Sequence, residues 1–168
     1  FGALLVPGVV FVFAVVNVVM ASSGQPAKLR RPLDFLVVAD HSDAMGFFPL
    51  ILAGKPEIMA DPQGKKWHDM IKSGQGNAAA LDIIGNFSNG TISKAILPLP
   101  GTPAYISAWQ DTIKAAEEAN DPGRFTAFIG FEWTSNTSGN NLHRNVVFRD
   151  DGDKAGKVEP YTTMKPLG

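Results

Sequence analysis

Apolar residues fall into two kinds of run along this chain: unbroken blocks of strand length, and positions that recur at helical intervals. Residues 34–39, DFLVVA, form a block without alternation, which predicts a parallel strand covered on both faces. Residues 125–133, FTAFIGFEW, repeat that pattern, and residues 142–148, LHRNVVF, predict a further strand. Helical spacing of Ala79, Leu81, Ile84 and Phe87 predicts a helix over residues 78–87. The clearest helix follows Thr102, an N-cap residue with Pro103 in the first turn. It runs through Ile106, Trp109, Ile113 and Ala116 to Ala119, and Asn120-Asp121-Pro122-Gly123 ends it. Shorter helices are expected over 44–52, capped by Ser42 or Asp43 and bent at Pro49, and over 67–72. Residues 22–32 and 134–141 read as polar loops, residues 150–157 as a charged turn, and the segment to Gly168 carries no strong pattern. Buried strands alternating with helices predict an α/β architecture with a parallel sheet or barrel. Ligands in such folds lie at the carboxyl ends of the strands.

The first 21 residues, FGALLVPGVVFVFAVVNVVMA, contain no charge. A membrane span needs about 20 apolar residues, so an anchor or signal segment is one reading, with Arg30 and Arg31 of the LRR that follows as flanking charges. No basic region precedes the run, Pro7 and Gly8 interrupt it, and eight of its first twenty residues are valine. Those features favour a buried strand-like segment. A third reading is a run whose residues are not those of the natural chain.

Composition narrows the classes. With 168 residues, 45% hydrophobic and 18% charged, the chain can bury a core as a single segment. A net charge of −1 gives no basis for a nucleic acid partner. The absence of cysteine excludes disulfides, thiolate zinc sites and cysteine nucleophiles. Twelve prolines and seventeen glycines imply many turns, with no repeat at a fixed period.

Candidate chemistry lies where the apolar blocks stop. The first ends at Asp40-His41, the second carries Glu132 near its end, and the third has His143 near its start. Buried carboxylates and imidazoles are costly unless paired, hydrogen-bonded or bound to a metal. Mixed carboxylate and imidazole donors suit zinc, manganese or iron better than calcium. Each residue has a structural alternative. Asp40 can cap the following helix, His41 can be a satisfied core histidine, Glu132 can pair with Arg144 or Arg149, and His143 can be a surface residue. Asp43 is read as solvated or capping, His68 as a helix-surface residue, and Trp67 and Trp109 as packing. Ser135, Thr137 and Ser138 have no neighbouring base, and the N-x-S/T matches at Asn86, Asn89 and Asn136 are read as chance.

The segments SGQPAKLRRPLDFLVVADHSD, FIGFEWTS and GNNLHRNVVFRD together resemble the DUF3604 family of metal-dependent hydrolases, related to the PHP (polymerase and histidinol phosphatase) superfamily. The resemblance spans most of residues 22–151. It implies that residues 1–168 form the N-terminal portion of a distorted (β/α) barrel with parallel strands, holding two or three divalent metal ions at the strand ends. It also implies hydrolysis of a small anionic ester, a phosphoester or a sulfate ester. By that analogy Asp40, His41, Glu132 and His143 are metal ligands, Asp40 and His143 are catalytic, and Arg144 binds substrate. The family opens with a segment like F-G-D-L-H-x-H-T. Here Phe1, Gly2 and Leu4 fit, while Ala3 stands at the aspartate and Leu5 and Pro7 stand at the histidines. The family's late aspartate–histidine motif has no counterpart before Gly168. The alternative is therefore a non-catalytic remnant or subunit with an incomplete metal site, membrane-associated or completed by other chains. Related proteins are often exported, which favours a periplasmic or extracellular setting.

Overall fold

The computed structural model describes residues 7–15, 17–21, 23–135 and 142–164. Two stretches of the chain build the sheet that carries the candidate residues. Strand β3 (Phe35–Val37) pairs in parallel with β5 (Thr126–Phe128), and β4 (Asp40–His41) pairs in parallel with β6 (Gly130–Ser135). The sequence offset between partners is the same in both pairs, so they form one parallel ribbon interrupted at residues 38–39 and 129. Strand β7 (Leu142–Val147) adds to β6 antiparallel, with Glu132 opposite Asn145 and Thr134 opposite His143. The sequence pattern predicts a parallel sheet or barrel. The short link between β6 and β7 overrides it, because parallel neighbours need a crossover of a dozen or more residues. A separate two-stranded antiparallel pair joins β1 (Val19–Met20) to β2 (Pro26–Ala27). The described residues thus form a mixed α/β fold with small sheets and no closed barrel.

Alternation along the strands sorts their side chains into two faces. Leu36, Val38, Ala127, Ile129, Phe131, Trp133, Val146 and Phe148 belong to the larger core. The intervening positions, Phe35, Phe128, Glu132 and Thr134 among them, lie on the other face, where Phe35 is exposed. The expected double coverage is therefore absent among the described residues: helices cover one face only.

The covered face packs on α6 (Pro103–Ala119), capped by Thr102 as the sequence predicts. Its buried Trp109 stands edge-on to Phe131, with ring centroids 5.8 Å apart and planes at 89°, a favoured aromatic geometry. Trp109 also covers Ala155 of α7 (Gly152–Ala155), a short helix inside the expected charged turn. A second core gathers α2 (Phe47–Ala53), α4 (Pro62–Lys72) and α5 (Gly76–Asn89) around the buried Trp67, with α3 (Pro56–Ala60) supplying Ile58.

Several local expectations are corrected. Gly46, not Ser42 or Asp43, is the N-cap of α2. Helix α4 starts five residues before its predicted start because the Asp61 carboxylate accepts from the Gln63 and Gly64 amides at 2.9 and 3.0 Å, with Pro62 at the first turn. On α5 the inward residues are Ala79, Ala80 and Ile83, while Leu81 is 72% exposed. His68 is half-buried, its Nδ1 2.7 Å from the Ile51 carbonyl, and so ties α4 to the end of α2.

Where it is described, the apolar N-terminal run is mostly helix, with only the two-residue strand β1 near its end. Residues Pro7–Ala14 form helix α1, which packs on α6 and inserts Phe11 and Ala14 into the larger core. The i,i+3 spacing of those two side chains overrides the β preference of valine. No helix among the described residues is long and apolar enough to cross a membrane. Ala3 and Leu5, which stand at family motif positions, lie outside the described residues.

Candidate metal centre

The outer face of the sheet brings together His41 from β4, Glu132 from β6 and His143 from β7. One ligand atom from each lies within 4.8 Å of the others. Pairing register explains the convergence: His41 is directly opposite Glu132 in the parallel ladder, and His143 is opposite Thr134, two residues beyond Glu132 on the same face. The Glu132 carboxylate is bidentate toward the two rings. His41 Nδ1 is 2.9 Å from Oε2, and His143 Nδ1 is 2.9 Å from Oε1. The ring centroids are 5.9 Å apart. Glu132 is only 18% exposed at its side chain, whereas His41 and His143 keep 61% and 46%. The carboxylate is thus the floor of the cluster, and the imidazoles are its rim.

Thr134 completes the floor. Its hydroxyl donates to Glu132 Oε2 at 3.3 Å and lies 2.9 Å from His41 Nδ1 and 3.3 Å from His143 Nδ1. The residue is 7% exposed. Sequence reading missed it, although its position two after Glu132 in a strand places it on the carboxylate's own face.

The remaining candidates separate from the triad. Alternation within β4 sends Asp40 and His41 to opposite faces, and Asp40 is not part of the three-residue group. Desolvation raises the Asp40 carboxyl above its ordinary range, and the adjacent His41 opposes that shift. Asp40 does not cap α2, whose N-cap is Gly46. Arg144 neighbours His143 in sequence but faces the other way: it is opposite Trp133 in the ladder, with its guanidinium carbon 4.7 Å from that ring's centroid. The geometry is a cation–π contact. Neither arginine pairs with Glu132, since Arg149 lies 3.7 Å from Asp150. Asp43 accepts from Thr163 through both its amide and its hydroxyl at 2.9 Å, and from the Thr162 hydroxyl. It therefore fastens a later segment instead of capping a helix.

The donor set fits a divalent cation. Two imidazole nitrogens and one carboxylate, on three strands held in register, match the ligand chemistry of zinc, manganese or iron. Each ring reaches a different oxygen of Glu132 at 2.9 Å, and one donor atom from each residue lies within 4.8 Å of the others, against an edge of about 3.3 Å between ligands of a tetrahedral zinc ion. A cavity between α1 and α6, lined by Phe11, Val15, Ala115 and Phe125 among others, holds none of these residues.

A family model described as "Protein of unknown function (DUF3604)" matches residues 1–166 of the chain. No curated protein and no solved structure matches it.

Proposed function

The chain belongs to the DUF3604 family, and from that premise we propose that it is a divalent-metal-dependent hydrolase of phosphoesters or sulfate esters. The observation carrying this reading is the convergence of His41, Glu132 and His143 on the uncovered face of the sheet. In a barrel of PHP type that face is the lumen and its strand ends form the mouth, where reactive groups belong. His41 and Glu132 lie at that end of the parallel ribbon.

His41, Glu132 and His143 hold the ion in this reading. A bound divalent ion supplies Lewis acidity that brings the pKa of water from about 15.7 toward about 7. The chain's own residues do the rest. Glu132, fixed from below by Thr134, orients both imidazoles. Asp40, on the opposite face from His41, is not assigned to the reaction, and the His143 ring is kept as a ligand. Arg144 is not assigned to substrate, because its guanidinium rests on Trp133 across the sheet.

Stripping metal with a chelator is expected to abolish hydrolysis of aryl phosphodiesters or aryl sulfates, and manganese or zinc to restore it. Hydrolysis indifferent to chelation counts against the proposal. A second reading, a non-catalytic protein with an incomplete metal site, draws on a specific observation: Leu5 and Pro7 stand where the family's opening motif has its two histidines, and Ala3 where it has an aspartate. Metal bound without turnover of either ester class favours that reading.

A further inference from the structure

The Thr134 hydroxyl sits where a fourth ligand would sit. In the ion-free arrangement its proton goes to Glu132 Oε2 at 3.3 Å. Its lone pairs then face the two ring nitrogens, His41 Nδ1 at 2.9 Å and His143 Nδ1 at 3.3 Å. A hydroxyl carries one donor and two acceptor sites, so with its proton on Glu132 its lone pairs are left for the side of the two rings. A cation takes up the nitrogen lone pairs only when both Nδ1 atoms are unprotonated. The hydroxyl oxygen then stands 2.9 and 3.3 Å from the two nitrogens, within reach of an ion they share.

Geometry and burial support the same role. The separations from Oγ1 to the three other donor atoms run from 2.9 to 3.3 Å, against an expected tetrahedral edge of about 3.3 Å for zinc. Thr134 is nearly enclosed, so water does not readily reach its position to substitute for the oxygen. Hydroxyl oxygens of serine and threonine are established partners of magnesium in nucleotide-binding loops, and the chemistry needs no deprotonation.

We propose that Thr134 is the fourth donor of the cation site, making an N2O2 set from His41, His143, Glu132 and its own hydroxyl. This inference rests on the metal-site reading above and extends it to a residue outside the expected ligands.

The test uses the full chain with Mn2+, Zn2+ and Co2+ as probes, measured by equilibrium dialysis and by visible absorption of the Co2+ form. Thr134→Val keeps the shape and removes the oxygen, and Thr134→Ser keeps the oxygen. The expected result is a rise of at least tenfold in the dissociation constant for Thr134→Val, about the loss seen on deleting groups that support metal ligands. Near-wild-type affinity for Thr134→Ser is expected alongside it. The Co2+ spectrum of Thr134→Val should also change, reporting an altered ligand set, whereas a residue that only packs would leave the spectrum in place. Wild-type affinity and spectrum in Thr134→Val, with the wild type binding metal, overturn this inference and leave the hydrolase proposal standing. Failure of the wild type to bind any of the three ions overturns both.

Discussion

Each oxygen of Glu132 faces an imidazole nitrogen at the same 2.9 Å, and this single side chain determines whether the two histidines act together. Glu132→Gln preserves the shape but replaces one oxygen with an NH2 group and removes the charge. It is expected to weaken Zn2+ or Mn2+ binding by more than about 100-fold, beyond the range for supporting residues. Arg144→Ala provides the contrast. Its guanidinium lies on Trp133 on the other face of β7, so metal affinity should stay within about twofold, as read by equilibrium dialysis. An equal loss in both variants contradicts the two-face assignment. The meeting of three of the four candidate residues, His41, Glu132 and His143, was legible because acids and imidazoles at the ends of apolar blocks have few inexpensive explanations. The direction of Asp40 and Arg144 was not. A residue's face depends on ladder register, which involves a partner strand far away in sequence.

At the level of elements, Gly130 permits the ribbon and the hairpin to meet. A Cβ there would lie 2.6 Å from Val37 Cγ2 and 2.9 Å from the Val146 carbonyl oxygen. The valine methyl can rotate away, but the backbone oxygen belongs to the ladder and cannot. Gly130→Ala should therefore destabilise the fold by about 1–3 kcal/mol, the usual cost of overpacking. Gly85→Ala, inside α5 where a Cβ meets nothing within 4 Å, should be neutral or stabilise by up to about 1 kcal/mol. Urea denaturation of the two variants checks both signs. Most elements were legible from periodicity and caps, α6 most cleanly. Helix α1 was not, because eight valines in a charge-free run argue locally for a strand and only the seat of Phe11 against α6 decides otherwise. The outward turn of Leu81 escaped for a related reason: small Ala79 and Ala80 allow α5 to approach its neighbours closely, which apolar spacing alone ranks below a leucine.

For the whole molecule, the segment around Val158–Thr163 straps the two ends of the fold together. Trp109 Nε1 donates to the Val158 carbonyl at 2.9 Å, Ser42 Oγ to the Tyr161 carbonyl at 2.6 Å, and the Gly101 amide to Glu159 at 2.7 Å. Buried Tyr105 is central: its hydroxyl donates to the Ser42 carbonyl at 2.8 Å, with the Pro160 carbonyl 3.2 Å away as the alternative acceptor. Burial, with Asp43 and Glu159 nearby, pushes its phenol well above the ordinary value, so it stays a donor throughout the working pH range. Tyr105→Phe is expected to cost about 1–2 kcal/mol, seen as a lower urea midpoint at unchanged slope. The register of the parallel ribbon has a kinetic consequence. His41 and Thr134 are 93 positions apart along the chain, but Thr134 and His143 only nine. The carboxylate and the nearer ring meet as soon as the hairpin zips, in roughly 1–10 μs. The farther ring arrives only after long-range closure, whose entropy penalty rises with the logarithm of the intervening length. On the proposed reading, a refolding polypeptide would therefore offer ions a weak half-site first, and tight capture would signal that the remote strand has docked.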